Sequence, residues 1–187
     1  MKYKIRSIRN VNIGKEWDKL APNTDNAIAY AYKHINPEPS VYIAPHKYSM
    51  EYCLAHYGSI INNRYRRGYG LDQTDKDIAK MLAKHNTDTD LVLYRGISEW
   101  VLECMIENAK DKNCDLYEKG FLCCSLVKGQ EIENEFKLRI FVPQRYNVVY
   151  MGNVNEEQEY YEVDVQCGTK INIISIDNEY INCKIIE

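Results

Sequence analysis

A chain of 187 residues, 45% hydrophobic and 27% charged, is the size of one domain and can bury a core, which excludes a disordered or collagen-like segment. Its 24 Lys and Arg against 27 Asp and Glu leave a formal charge of −3, which gives no basis for global attraction to nucleic acid or to an anionic membrane. No apolar run approaches the roughly 18 residues that read as a membrane span, and Met1-Lys2-Tyr3-Lys4-Ile5-Arg6 leads into no apolar segment, so no signal peptide is expected.

In chain order, Thr24-Asp25-Asn26 caps a predicted helix through Ala27-Ile28-Ala29-Tyr30-Ala31-Tyr32, and Asn36-Pro37-Glu38-Pro39-Ser40 breaks it. A second helix is predicted from about Ser49 to Arg66, with Leu54, Ile61 and Tyr65 on one face and Gly68 and Gly70 ending it. Thr74-Asp75-Lys76-Asp77 reads as a capping-box start for a short helix through Ile78, Met81 and Leu82. Beyond about residue 90 the pattern changes to short β-rich runs: Leu91 to Arg95, Phe121 to Leu126, Leu138 to Val142, Val148 to Met151, Tyr160 to Val165 and Ile171 to Ile176. A helix over about Glu99 to Ala109, capped by Ser98, interrupts them. Helices over about 15–85 and strands over about 90–187 predict an α+β fold in a single domain spanning 1–187.

Seven cysteines, an odd number without a CxxC pair, fit a thiol-reducing compartment, so a cytoplasmic location is expected, in a host cell if the protein is delivered there. Neither GxGxxG nor a Walker loop is present.

Strand parity separates chemistry from core. Leu122, Cys124 and Leu126 share an apolar face, and Phe121, Cys123 and Ser125 take the other. In the run from Tyr160, the valines and Tyr161 share one face, while Tyr160, Glu162 and Asp164 share the opposite one. Arg95 ends the first strand.

Leu93-Tyr94-Arg95-Gly96, Gly120-Phe121-Leu122-Cys123-Cys124-Ser125-Leu126, and Glu162-Val163-Asp164-Val165 with Gly168-Thr169-Lys170 resemble the arginine–serine–glutamate signature of mono-ADP-ribosyltransferases. That class includes bacterial toxins that modify actin or Rho proteins and phage exoenzymes. Tyr57, Ile61-Asn62, Tyr65-Arg66 and Gly68 resemble the family's helix motif, and Leu138-Arg139-Ile140-Phe141-Val142-Pro143 its arginine-bearing strand, so the likeness runs from about residue 15 to the end. It implies two roughly perpendicular, antiparallel-rich sheets forming an NAD cleft, flanked by N-terminal helices. It implies that NAD is cut at the nicotinamide–ribose bond and ADP-ribose passed to a protein side chain, with NAD as substrate and no metal.

By the same resemblance, Arg95 and Arg139 hold the pyrophosphate, backbone at Gly96 meets the nicotinamide amide, and Asn62 and Arg66 support the NAD site. Cys123 and Ser125 hold the nicotinamide side and orient Glu162, which binds the ribose hydroxyl and stabilises the oxocarbenium-like transition state. The sequence departs from the family in two places. Cys123 stands for the first serine of its strand, a weaker hydrogen-bond donor. Tyr160 stands two residues before the glutamate, where arginine-modifying members carry a second glutamate; a β-bulge would bring Glu159 there instead. Tyr160 and Glu159 are thus alternative acceptor-recognition residues, the loop from Gly152 to Glu159 occupies the family's acceptor-recognition segment, and Glu157-Gln158-Glu159 read as the active pair is a further option.

Four other readings are weighed beside this one: an NAD glycohydrolase, a non-catalytic NAD-binding module, modification of nucleic acid suggested by Arg64-Tyr65-Arg66-Arg67-Gly68-Tyr69, and a cysteine hydrolase using Cys123 or Cys124 with His34, His46, His56 or His85.

Overall fold

A computed structural model describes residues 12–35, 49–154 and 156–187. The break expected at Asn36 to Ser40 lies outside them. Helix α1 (Ile13–Asp18) is six residues long, too short for its periodicity to be read from sequence. Helix α2 (Ala27–His34) starts after Asn26, whose side chain makes no cap hydrogen bond, so the expected cap is one of position alone. Helix α3 (Met50–Arg67) is fixed at both ends: the Ser49 hydroxyl accepts from Tyr52 N at 3.0 Å, and Gly68 takes the left-handed φ of 72° that terminates it. Helix α4 (Gln73–Leu82) does carry a capping box, but Asp72 and Asp75 form it, two residues earlier than the Thr74 start expected. Helix α5 (Glu99–Ala109) follows its Ser98 cap as expected.

Eight strands follow: β1 (Leu91–Ile97), β2 (Leu116–Glu118), β3 (Leu122–Ser125), β4 (Phe136–Val142), β5 (Val148–Tyr150), β6 (Glu162–Val165), β7 (Thr169–Ile176) and β8 (Ile181–Ile186). They are hydrogen-bonded in the order β2-β7-β8-β4-β1-β3-β6-β5, with β4–β8 parallel and the other pairs antiparallel. Where two sheets are expected, the strands form one continuous eight-stranded sheet, with its weakest junction between β1 and β3. β1 pairs with β4 over seven positions but with β3 only at Tyr94↔Ser125. Leu122, Cys124, Val163 and Val165 of the β3–β6–β5 half share one buried core with Leu91, Leu93, Leu138 and Ile140 of the other half. Their alternate neighbours are thereby turned outward from that core. A second core under α3 and α4 joins Leu54, Ile61, Ile78 and Leu82 to Phe121 and Val149. A third packs Trp17 against Val92, Tyr94 and Tyr180 on the far side of β1.

The expected strand at Tyr160 begins two residues later than predicted. Gln158–Tyr160 form a 3-10 turn, and Tyr161 has a left-handed φ of 46°, so parity cannot be extended back through them.

Candidate active site

The β3–β6 ladder builds the centre of the site. Ser125 lies opposite Glu162 and Cys123 opposite Asp164, so these four side chains share the face turned away from the main core. Burial pushes the Glu162 carboxyl well above the usual carboxylate range, with Asp164 and Glu157 adding to the effect and Arg95 opposing it. Burial likewise raises Asp164 to about 7, against the pull of Cys123, Arg95 and Glu162. The Cys123 thiol is pushed well above its ordinary value, first by burial and then by the two carboxyl groups. A shift in this direction disfavours the thiolate, the opposite of what activates a nucleophilic cysteine.

Two arginines face this ladder from other elements. Arg95 on β1 is buried, donates from Nη1 to Phe121 O at 3.3 Å, and has Nη2 4.0 Å from Glu118 Oε2. Arg66, in the last turn of α3, is held more tightly: its Nη2 lies 2.8 Å and its Nε 3.1 and 3.2 Å from the Glu118 carboxylate oxygens. Glu118 is fully buried and also accepts from Gly120 N at 2.9 Å. It belongs to β2, a three-residue strand at the end of a polar stretch, where no pattern in the sequence singles it out. Asn62 completes the joint between α3 and β3. Its Oδ1 accepts from Phe121 N at 2.7 Å and its Nδ2 approaches Cys123 Sγ at 3.7 Å. Gly120 leaves room for that carboxamide, since a Cβ there would stand 2.4 Å from Asn62 Oδ1.

Arg95, Arg66, Asn62, Cys123, Ser125 and Glu162 all line one cleft of ≈ 440 Å³, together with Gly96 and Tyr160. Of the tract from Arg64 to Tyr69, Arg64 is paired with the buried Asp75 and Arg66 with Glu118, so two of its three arginines are committed internally.

Several assignments change. Arg139 does not reach the cleft. It lies opposite Tyr94 on the far face of β1–β4, where Asp177 Oδ2 is 2.6 Å, Asn182 Oδ1 2.6 Å and Asp18 Oδ1 2.7 Å from its guanidinium, which also stacks over Tyr180. Strand alternation, one residue from Leu138, carries it there, so its expected phosphate role is corrected to a buried structural one. Ser125 is in register with Glu162, but its hydroxyl donates to Val127 O at 2.9 Å and accepts from Val127 N at 3.1 Å. It shapes the turn after β3 and does not orient the glutamate. Gly96 is not among the changes: it lines the cleft, and only the space a side chain would need is taken by the chain, for a Cβ there would meet Ile132 O at 1.9 Å. Of the two acceptor-position alternatives, Tyr160 stands on the cleft wall as expected, though a 3-10 turn and not a strand carries it there; Glu157 is beside it and Glu159 is off the wall.

No family model matches the sequence, and no curated protein matches it significantly. Solved structures do. Plx2a, an ADP-ribosyltransferase toxin from Paenibacillus larvae, superposes with a TM-score of 0.66 at 20% identity over 87% of this chain and 96% of its own. The C3 exoenzyme of Clostridium limosum gives 0.64 at 18% identity over 88% and 95%. C3stau2 from S. aureus, solved with NAD, gives 0.59 at 15% identity over 99% and 100%. The chain has the fold of the ADP-ribosyltransferase toxins, the α+β architecture expected from sequence.

Proposed function

We propose that this protein is an NAD-dependent mono-ADP-ribosyltransferase that transfers ADP-ribose to a side chain of a protein acceptor. The observation that carries the reading is the placement of Glu162 on the same cleft wall system as Arg95 and Arg66, in a cleft large enough for a dinucleotide's reactive half, within the fold those toxins share. The guanidinium groups supply positive charge for the pyrophosphate. Glu162 accepts a hydrogen bond from a ribose hydroxyl and opposes the positive charge that develops at the anomeric carbon as the bond to nicotinamide breaks. The bonding pair leaves with neutral nicotinamide, and the acceptor's nucleophilic atom forms the new bond to that carbon and gives up its proton. A carboxylate held in place by the β3–β6 ladder is well suited to this charge.

Tyr160, 42% exposed at the cleft rim, is the residue we assign to acceptor contact, with Glu157 beside it. Seven free cysteines support action in a thiol-reducing compartment. The test incubates the protein with labelled NAD and a cell lysate. Nicotinamide release together with a labelled protein band, both lost in Glu162→Gln, is expected. Release with no labelled band would make it a glycohydrolase, and NAD binding without release a non-catalytic module.

A further inference from the structure

Asp164 has no part in the reaction just proposed, yet it shares that face with Glu162 and Cys123. It is fully buried, and neither carboxylate oxygen accepts a hydrogen bond of ordinary geometry. An ionised carboxylate so placed is expensive unless a cation or donor meets it. The β3–β6 register puts it directly opposite Cys123, and Glu162 lies two residues away on the same face. Among the described residues, one donor atom from each of Cys123, Glu162 and Asp164 lies within 4.8 Å of the other two. Arg95 is the cation that acts electrostatically on all three. Once ionised, a thiolate and two carboxylates facing one arginine would be left with two excess negative charges, the charge a divalent cation balances.

Donor chemistry narrows the cation. One sulfur and two carboxylate oxygens suit zinc, which takes sulfur at about 2.3 Å and carboxylate oxygen at about 2.0–2.2 Å in a tetrahedron. Those lengths set donors about 3.5 Å apart, so the present spacing closes by roughly an ångström of side-chain rotation. Cys123 and Glu162 both line the open cleft, which supplies the entry path and a fourth position for water.

We propose that Cys123, Glu162 and Asp164 form a three-donor site for a thiophilic divalent cation, with zinc as the best fit, and that filling it inhibits the enzyme by withdrawing Glu162 from the ribose. The cation displaces the thiol proton, and any proton on the carboxyl groups, to solvent. It acts as an inhibitor and supplies no step of the reaction. The inhibitory half rests on the transferase reading; the binding half does not.

The test titrates the metal-free 187-residue chain with Zn²⁺ by calorimetry and with Co²⁺ by absorption, where a thiolate ligand gives a sulfur-to-metal charge-transfer band. One equivalent and that band are expected. Asp164→Asn, which keeps the side chain's shape, should weaken Zn²⁺ binding by about tenfold or more, as loss of one donor would. Cys123→Ser should abolish the band. Circular dichroism checks that both variants are folded. Absence of the band in the unaltered chain, or folded variants that bind Zn²⁺ as tightly as the unaltered chain, would overturn the site. If the band appears and depends on Asp164 while no nicotinamide is ever released, the site stands and the transferase reading fails. Nicotinamide release that is indifferent to Zn²⁺ bound there would overturn the inhibitory half.

Discussion

Arg66 and Glu118 meet where the end of α3 crosses β2, through N···O distances of 2.8 to 3.2 Å, with the arginine side chain 6% exposed and the glutamate fully buried. A salt bridge this deep sets where the arginine can point. Since Arg95 also comes within 4.0 Å of the same carboxylate, one acidic residue positions both cations of the cleft. Replacing it leaves two buried guanidinium groups without their counter-charge, a loss of about 3–5 kcal/mol for a broken buried pair. Glu118→Gln is expected to raise the KM for NAD about tenfold or more while kcat falls less, since the clamps would be displaced and the reacting carboxylate left in place. Steady-state nicotinamide release separates the two constants. An unchanged KM in a folded variant would refute the positioning role.

Arg95 and Arg139 give opposite expectations. Lysine at position 95 replaces a planar fork by a point charge, so Arg95→Lys should weaken NAD binding by about tenfold. Arg139→Lys should leave NAD affinity within about twofold and lower the melting temperature, because it breaks contacts to Asp18, Asp177 and Asn182 away from the cleft. Calorimetric titration with NAD and thermal melts of both variants decide the matter.

The Asp177 side of that network makes stability depend on pH. Burial works to raise its carboxyl, but the backbone N–H groups of Tyr180 and Glu179, followed by Asn182 and Arg139, outweigh burial and hold it well below the usual carboxylate range. A carboxyl depressed in the folded state binds fewer protons there than in the unfolded chain. Its stabilisation is therefore complete above the unfolded value of about 4 and is lost as the pH falls below it. The stability gap between the unaltered protein and Asp177→Asn should accordingly be wide at neutral pH and shrink in acid. Urea denaturation of both proteins at pH 7 and pH 3 would show it, and a gap that stays constant would count against the assignment.

Gly120 and Gly96 are required by packing. A methyl group at 120 would press on the Asn62 carboxamide that receives the Phe121 N–H, and one at 96 would meet the Ile132 carbonyl oxygen. Gly96→Ala should destabilise by about 1–3 kcal/mol, the range for overpacked sites, because the obstacle is backbone. A denaturation midpoint equal to that of the unaltered protein would refute this.

Much of the site was legible because β-strand parity is local. The alternation of Leu122, Cys124 and Leu126 with Cys123 and Ser125, and of Val163 and Val165 with Glu162 and Asp164, predicts which side chains leave the core, and the ladder places them so. Parity failed where the backbone stopped being a strand, at the 3-10 turn holding Tyr160. It also does not say which of a sheet's two faces carries a cleft: Arg139 is one residue off the core face and so points to the far side. Glu118 was illegible because its meaning comes from partners 52 and 23 residues away in sequence. Strand β8 alternates Ile181, Cys183 and Ile185 with Asn182 and Lys184, a run that polar neighbours and a lone cysteine make weak on its own.

The lone rung between Tyr94 and Ser125 has a further consequence. Main-chain hydrogen bonding contributes little to the angle at which the two β halves meet, so the aperture between Arg95 and Glu162 is governed by how the shared apolar interior fills. Trimming a methyl from Leu93 or Val163, deep in that interior and outside the cleft lining, should therefore be felt as an altered span between the Arg95 guanidinium and the Glu162 carboxyl.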